Sequence, residues 1–114
     1  MRTYLSGPIT GNSTYRDDFA RAEKIVAERG EEPVNPLHVP AACNDSSCLE
    51  RGGPADEHDG GTLHSWECYL RGDLAALMTC DKVALLPGWE KSKGATLEQF
   101  VARTVNIEVE ELRQ

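Results

Sequence analysis

The fold is decided by the stretch Cys80-Asp81-Lys82-Val83-Ala84-Leu85-Leu86-Pro87-Gly88-Trp89-Glu90-Lys91-Ser92-Lys93-Gly94-Ala95-Thr96-Leu97-Glu98. Its apolar run, Val83 to Leu86, has the length of a strand buried on both faces, and Pro87-Gly88 ends it. A polar loop follows, and Gly94-Ala95 opens a helical pattern with Glu98 one turn inside it. A strand that leads through a glycine loop into a helix directs backbone N–H groups at a ligand above the sheet. The stretch therefore predicts a strand end, a helix N-terminus and a carboxylate at one place.

The residues before this stretch predict a βαβ unit. Residues 2–6 read as a first strand, and residues 32–36 as a short second strand. Between them, apolar residues at spacings of three and four predict an amphipathic helix that ends at Gly30. These apolar residues are Tyr15, Phe19, Ala22 and Val26.

Two further elements complete the predicted architecture. Residues 66–77 form a helical pattern with the apolar face Trp66, Tyr69, Leu70, Leu74 and Leu77, and residues 107–109 read as a last short strand. The order of elements predicts an α/β fold, a three-layer Rossmann-like (flavodoxin-like) sandwich with a four- to five-stranded, mostly parallel sheet. At 114 residues, the chain 1–114 is expected to form one domain.

Composition excludes several classes of function. The chain has 12 basic and 19 acidic residues, a net charge of −7, and no basic cluster of the kind that a duplex binder needs. We therefore expect no nucleic-acid partner. No apolar run approaches the length of a membrane span, and the N-terminus enters a strand pattern at once. These features predict no membrane partner, no signal peptide and a cytoplasmic location.

The segment 38–64 differs from the rest because it shows no periodicity and predicts a long loop. Cys43 and Cys48, followed by His58 and His64, loosely fit the ligand spacing of a zinc site. The alternative is a solvated loop with free thiols. Alternatively, the rings of His64 and Trp66 can cover a base-sized ligand by stacking on it. The two other cysteines, Cys68 and Cys80, are predicted to be core thiols.

The strongest candidates for chemistry are two carboxyl groups; the alternative from the pattern alone is an ordinary first-turn acid at Glu98 and a helix-surface acid at Asp73. Glu98 lies in the first turn of a predicted helix, where the dipole favours an anion that can attack an electrophilic carbon. Asp73 lies between Leu70 and Leu74. It can serve as the acid partner if the surroundings give Asp73 and Glu98 different pKa values. Tyr4 can donate its hydroxyl group to a carboxylate at the same sheet edge.

Four segments resemble a branch of phage and bacterial proteins in the nucleoside 2-deoxyribosyltransferase superfamily, which includes the 2′-deoxynucleoside 5′-phosphate N-hydrolases. They are Tyr4-Leu5-Ser6-Gly7-Pro8-Ile9-Thr10-Gly11, Val34-Asn35-Pro36, Tyr69-Leu70-Arg71-Gly72-Asp73, and the stretch from Cys80-Asp81 through Trp89-Glu90 and Ser92-Lys93-Gly94-Ala95 to Leu97-Glu98. The resemblance covers nearly the whole chain except the 38–64 loop, and the segment 80–98 is its most specific part.

The resemblance implies a role for each matching residue. Glu98 would be the nucleophile that attacks the anomeric carbon and expels the base. Asp73 would contact the sugar hydroxyls and help protonate the leaving base, and Tyr4 would orient the glutamate. Ser92 matches a serine that contacts the 5′-phosphate, whereas Pro8 replaces a second phosphate-binding serine.

Under this resemblance we expect an N-glycosidase or deoxyribosyltransferase that forms a homo-oligomer. Its partner would be a small-molecule nucleoside or nucleotide, and the chemistry needs no cofactor and no metal. The expected substrate-binding residues are Ser6, Gly7, Pro8, Ile9, Gly11, Asn35, Trp66, Gly88, Trp89, Ser92 and Gly94. Two alternatives are a non-catalytic module that senses a nucleotide, and an interaction protein with a zinc-binding loop.

Overall fold

The computed structural model describes residues 1–9, 11–39, 42–43 and 64–112. Within these ranges four strands and three α-helices alternate. They are β1 (Arg2–Ser6), α1 (Tyr15–Glu28), β2 (Glu32–Val34), α2 (Trp66–Leu77), β3 (Lys82–Leu85), α3 (Lys93–Thr104) and β4 (Glu108–Glu111). Short 3-10 helices follow β2 (Pro36–His38) and β3 (Trp89–Lys91).

The four strands form one parallel sheet in the order β2-β1-β3-β4. Tyr4 of the central strand β1 pairs with Val34 on one side and with Val83 on the other. Because the chain moves from β1 to β2 on one side and later returns to β3 on the other, the order of strands reverses between β1 and β3. Ligands of open α/β sheets bind at the carboxyl ends of strands at such a point.

The helices cover both faces of the sheet and give the predicted three layers. One apolar cluster joins Leu5 and Ala84 of the sheet to Phe19 and Val26 of α1. A second cluster joins Tyr4, Val83 and Leu85 to Leu77 of α2 and Ala102 of α3. The predicted Rossmann-like α/β sandwich is therefore confirmed, with four strands that are all parallel.

Local signals set the ends of the helices close to where the sequence predicts them. Gly30 adopts a left-handed φ of 84° just after α1, which suits a residue without a Cβ atom. Ser65 and Ser92 cap α2 and α3, because their hydroxyl oxygens accept hydrogen bonds from the backbone N–H groups of Cys68 and Ala95.

The buried face of α2 differs from the predicted one. The helix buries Cys68, Asp73 and Leu77, whereas the other predicted face residues are only half-buried. The latter are Trp66, Tyr69, Leu70 and Leu74. The prediction of the buried face failed because a periodicity of apolar residues does not show that a carboxyl group points inward.

A cluster of charges lies where β3 begins. The Lys82 ammonium group lies 3.1 Å from carboxylate oxygens of both Glu31 and Glu110, and Arg29 lies 2.8 Å from Glu110. Thr3 donates to Glu31. The cluster neutralises the buried lysine. No helix among the described residues has the length and apolar character that crossing a membrane requires.

Candidate active site

The centre of the site is the carboxylate of Glu98, which two hydroxyl groups of β1 hold in place. The Tyr4 hydroxyl group donates to Oε2 of Glu98 at 2.7 Å, and the Ser6 hydroxyl group donates to Oε1 at 2.7 Å. One donor on each oxygen fixes the plane of the carboxylate. It also stabilises the anion, because hydrogen bonds to an ionised acceptor are the strong ones.

Simple periodicities bring these three residues together. Tyr4 and Ser6 are two positions apart on a strand, so their side chains leave the same face of the sheet. Glu98 is the sixth residue of α3, so the prediction that it lies in the first turn is wrong, because the helix begins at Lys93. On α3, Ala95, Glu98 and Ala102 are buried at spacings of three and four, which turns Glu98 toward that face. Since 92 or more positions separate Glu98 from its donors, only the packing of α3 on β1 creates the contact.

Burial changes the acidity of both groups in this contact. Burial raises the pKa of Glu98 from 4.5 to about 7, and the hydrogen bonds from Ser6 and Tyr4 oppose that rise. Burial also raises the pKa of Tyr4 well above 10.0, and the charges of Glu98 and Asp73 add to the increase. Tyr4 therefore stays protonated and acts as a donor throughout the physiological range of pH.

Asp73 of α2 is the second carboxyl group of the site. It is 7% exposed, and its Oδ1 atom is buried with no hydrogen-bond partner among the described residues. Burial raises its pKa from 3.8 to about 8, and the neighbouring charge of Glu98 contributes to the rise. The two acids are thus close enough to influence each other, although they come from different helices.

The surroundings of the two acids divide the roles between them. Glu98 accepts two hydrogen bonds that favour its anion. Asp73 lies near a negative charge, and within the described part of the chain its Oδ1 has no partner. Glu98 is therefore the more acidic group of the pair, and Asp73 keeps its proton to higher pH. Such a pair offers a nucleophile and a proton donor at the same time.

The loops after β1 and β3 meet beside these acids. A Cβ atom on Gly7 would lie 2.7 Å from the Cβ of Leu86, so only glycine fits where the two strands end. Gly88 has a left-handed φ of 86°, and a Cβ atom there would lie 3.6 Å from Pro8. The short distances show that the two loops lie close to each other at the point where the strand order reverses.

The other residues of the first glycine loop have different surroundings. Ile9 is half-buried and packs on the apolar cluster beneath α1, which gives it a structural contact. Gly11 is exposed, with a left-handed φ of 78°. Thr10, which the resemblance includes, lies outside the described residues.

The start of α3 forms another edge of the site. The Ser92 hydroxyl oxygen accepts the N–H of Ala95, which leaves its own proton for a ligand. The Lys93 ammonium group lies 4.8 Å from the centre of the Trp66 ring. A Cβ atom on Gly94 would lie 3.7 Å from the same ring. Trp66 therefore covers the beginning of α3, beside the predicted phosphate contact.

Two predicted binding residues have structural partners. The Asn35 side chain caps the first 3-10 helix by accepting the N–H of Leu37, and its amide group donates to Glu23. Trp89 packs against the apolar cluster beneath α2 and α3, and its indole N–H donates to Glu111. The structure thus brings Tyr4, Ser6, Asp73 and Glu98 together and gives Asn35 and Trp89 other contacts.

The structure describes two of the four predicted cysteine and histidine ligands. Cys43 and His64 lie together, whereas Cys48 and His58 lie outside the described residues. Cys68, predicted as a core thiol, is buried, but its sulfur atom lies against Cys43 and His64. The spacing of His64 and Cys68, four positions apart, is the signal that could have identified it. His64 contacts Cys43, Cys68 and Tyr69, and its stacking on a ligand together with Trp66 stays a prediction.

Comparisons with known proteins identify a family without an assigned activity. A family model described as "Domain of unknown function (DUF4406)" matches residues 1–111. Searches of curated proteins and of solved structures found no match. The chemistry of the site therefore has to be inferred from its own residues.

Proposed function

The chain belongs to the DUF4406 family, and we propose that it cleaves the bond between base and sugar in a nucleoside or nucleoside 5′-monophosphate. The observation that supports this most is the buried pair of acids. Glu98 is held by two hydroxyl groups, and one Asp73 oxygen has no partner among the residues that the structure describes. Similarity to the nucleoside 2-deoxyribosyltransferase superfamily supports the same reaction, since Tyr4, Asp73 and Glu98 match its functional residues.

The first step breaks the glycosidic bond. The Glu98 carboxylate attacks the anomeric carbon as the bond to the base nitrogen breaks and its electron pair passes to the base. Asp73 donates its proton to the departing base. The products are a free base and a sugar esterified to Glu98. The transition state resembles an oxocarbenium ion, which the anion of Glu98 stabilises.

The second step releases the sugar. A water molecule attacks the anomeric carbon, Asp73 accepts a proton from it, and the ester bond to Glu98 breaks. If a second base attacks in place of water, the same step transfers the sugar. Tyr4 and Ser6 contribute by holding the departing carboxylate, so they are positioning residues.

The start of α3 supports a substrate with a 5′-phosphate. Ser92 has a hydroxyl proton to donate, the first helical N–H groups have no partner within the helix, and Lys93 carries a positive charge. Pro8 offers no hydroxyl group on the opposite loop, so Ser92 and Lys93 would supply most of the attraction for a phosphate.

The test is a screen for base release from nucleosides and their 5′-monophosphates, with modified pyrimidines included and products separated by chromatography. We expect Glu98→Gln to abolish release, a loss of more than about a thousandfold, because it removes the nucleophile. Glu28→Gln removes an exposed glutamate at the end of α1 and serves as the matched control with full activity.

The pH dependence separates a positioning role from a structural one. The rate should peak between the pKa values of the pair, about 7 for Glu98 and about 8 for Asp73. Tyr4→Phe removes a donor to Glu98, so it should move the acidic limb to higher pH. Absence of release from every substrate would contradict the proposal. A ligand-induced rise in melting temperature without turnover would instead indicate a binding module.

A further inference from the structure

Three side chains with metal-binding atoms lie together, and neither of the two acids is among them. The sulfur of Cys43 lies 3.1 Å from Nδ1 of His64 and 3.4 Å from the sulfur of Cys68. The third distance, from the sulfur of Cys68 to Nδ1 of His64, is 3.7 Å. All three donor atoms lie within 4.8 Å of one another.

These distances fit the edges of one coordination tetrahedron. Zinc lies about 2.3 Å from cysteine sulfur and about 2.0–2.1 Å from histidine nitrogen, so tetrahedral ligands are about 3.7 Å apart for two sulfurs and about 3.5 Å apart for sulfur and nitrogen. The observed separations of 3.4, 3.1 and 3.7 Å differ from these values by a few tenths of an ångström. An ion at the centre would require only small side-chain shifts.

The backbone around the cluster holds Cys68 in place. This residue lies in the first turn of α2. The backbone N–H of Cys43 donates to the Cys68 sulfur at 3.4 Å, and the N–H of Ala42 donates to the Cys68 carbonyl oxygen at 3.1 Å. Hydrogen bonds of this kind orient the ligands of metal sites.

The orientation of His64 is also fixed. Its ring meets Tyr69 edge to face, with ring centres 5.5 Å apart and planes at 81°. Nδ1 is the nitrogen that faces the two sulfur atoms. Since Ser65 caps the next helix through the N–H of Cys68, the backbone between the two ligands is itself held in place.

We propose that Cys43, His64 and Cys68 form a binding site for one zinc ion and supply three of its ligands. Two thiolates and one neutral imidazole balance the charge of a divalent ion, and this donor set suits zinc rather than magnesium or calcium. The ion links residue 43 to the first turn of α2, the helix that carries Asp73. The site is independent of the proposed reaction, because neither Glu98 nor Asp73 is a ligand.

The experiment measures metal content and ligand-field spectra of the full chain. Protein purified under reducing conditions with zinc should carry about one zinc ion per chain. After the zinc is removed, Co²⁺ should give the visible bands of a tetrahedral site together with thiolate charge transfer. Cys43→Ser should weaken metal binding by more than about tenfold and lower the melting temperature of the zinc-loaded protein. Cys43 is only half-buried, so this variant should fold.

Cys80→Ser is the matched control, because Cys80 packs in the apolar cluster beneath α2 and α3 and is not one of the three proposed ligands. It should keep the zinc and the cobalt bands. A wild-type chain that binds neither Zn²⁺ nor Co²⁺ in the reduced state would overturn the proposal. So would cobalt–thiolate bands that persist when Cys43→Ser and Cys68→Ser are combined.

Discussion

Replacing Asp73 by asparagine should make the protein more stable near neutral pH, although the substitution removes a residue of the proposed active site. Asp73 is buried, one of its oxygens has no hydrogen-bond partner among the described residues, and the charge of Glu98 acts on it. The fold therefore disfavours the ionised form of Asp73. An asparagine side chain of the same shape carries no charge and avoids this penalty.

The sign of the effect follows from proton binding in the two states. The pKa of Asp73 rises from 3.8 in the unfolded chain to about 8 in the folded protein. Between these values the folded protein binds one proton more than the unfolded chain, so stability falls as the pH rises. The stabilising contribution is fully present below pH 3.8 and disappears toward pH 8. Glu98 contributes with the same sign between 4.5 and about 7.

The magnitude follows from the width of this interval. Each pH unit changes the free energy of unfolding by about 1.4 kcal/mol per proton, so Asp73 accounts for up to about 2.7 kcal/mol between about pH 5 and about pH 7. Water entry and relaxation of the helices reduce this value. We expect Asp73→Asn to gain about 1–3 kcal/mol relative to wild type over that interval.

The assay is urea unfolding at several pH values, followed by the fluorescence of Trp66 and Trp89. Comparing the two proteins at two pH values cancels any packing cost that does not depend on pH. Asp17→Asn removes a carboxylate from an exposed position in the first turn of α1 and serves as the control. Parallel stability curves for wild type and Asp73→Asn would refute the reasoning, because they would show that Asp73 titrates alike in both states.

Three further predictions concern the loops and the charges of the fold. Gly7→Ala should cost about 2 kcal/mol in urea unfolding, because the new Cβ atom meets Leu86 at 2.7 Å; unchanged stability would show that the loop shifts freely. Lys82→Met should lower the free energy of unfolding by about 3 kcal/mol near neutral pH, because the Glu31 carboxylate loses its lysine partner. This loss should vanish in acid, where Glu31 is protonated, and a loss independent of pH would indicate a packing effect instead. Ser92→Asp should keep the helix cap but slow base release from 5′-monophosphates, because a carboxylate repels a phosphate, while nucleosides react as before. Equal slowing with both substrates would show that Ser92 does not contact a phosphate.

Local patterns in the sequence were sufficient for the architecture. The apolar run from Val83 to Leu86 predicted a buried strand, and the pattern at residues 66–77 matched the bounds of α2. Parallel strands that alternate with helices leave few topologies, and their carboxyl ends meet at one edge. The placement of Glu98 and Asp73 near one another was expected from the sequence together with the family resemblance, and their roles in a reaction stay predictions.

Only the tertiary structure decided which partners the side chains have. Ser6 was expected to contact substrate, yet it donates to Glu98, and Asn35 and Trp89 use their polar groups within the fold. Cys68 likewise met Cys43 across 25 positions of the chain. Periodicity records the face of a helix or strand on which a residue lies. The group that it meets there depends on how separate elements pack, which no local pattern encodes.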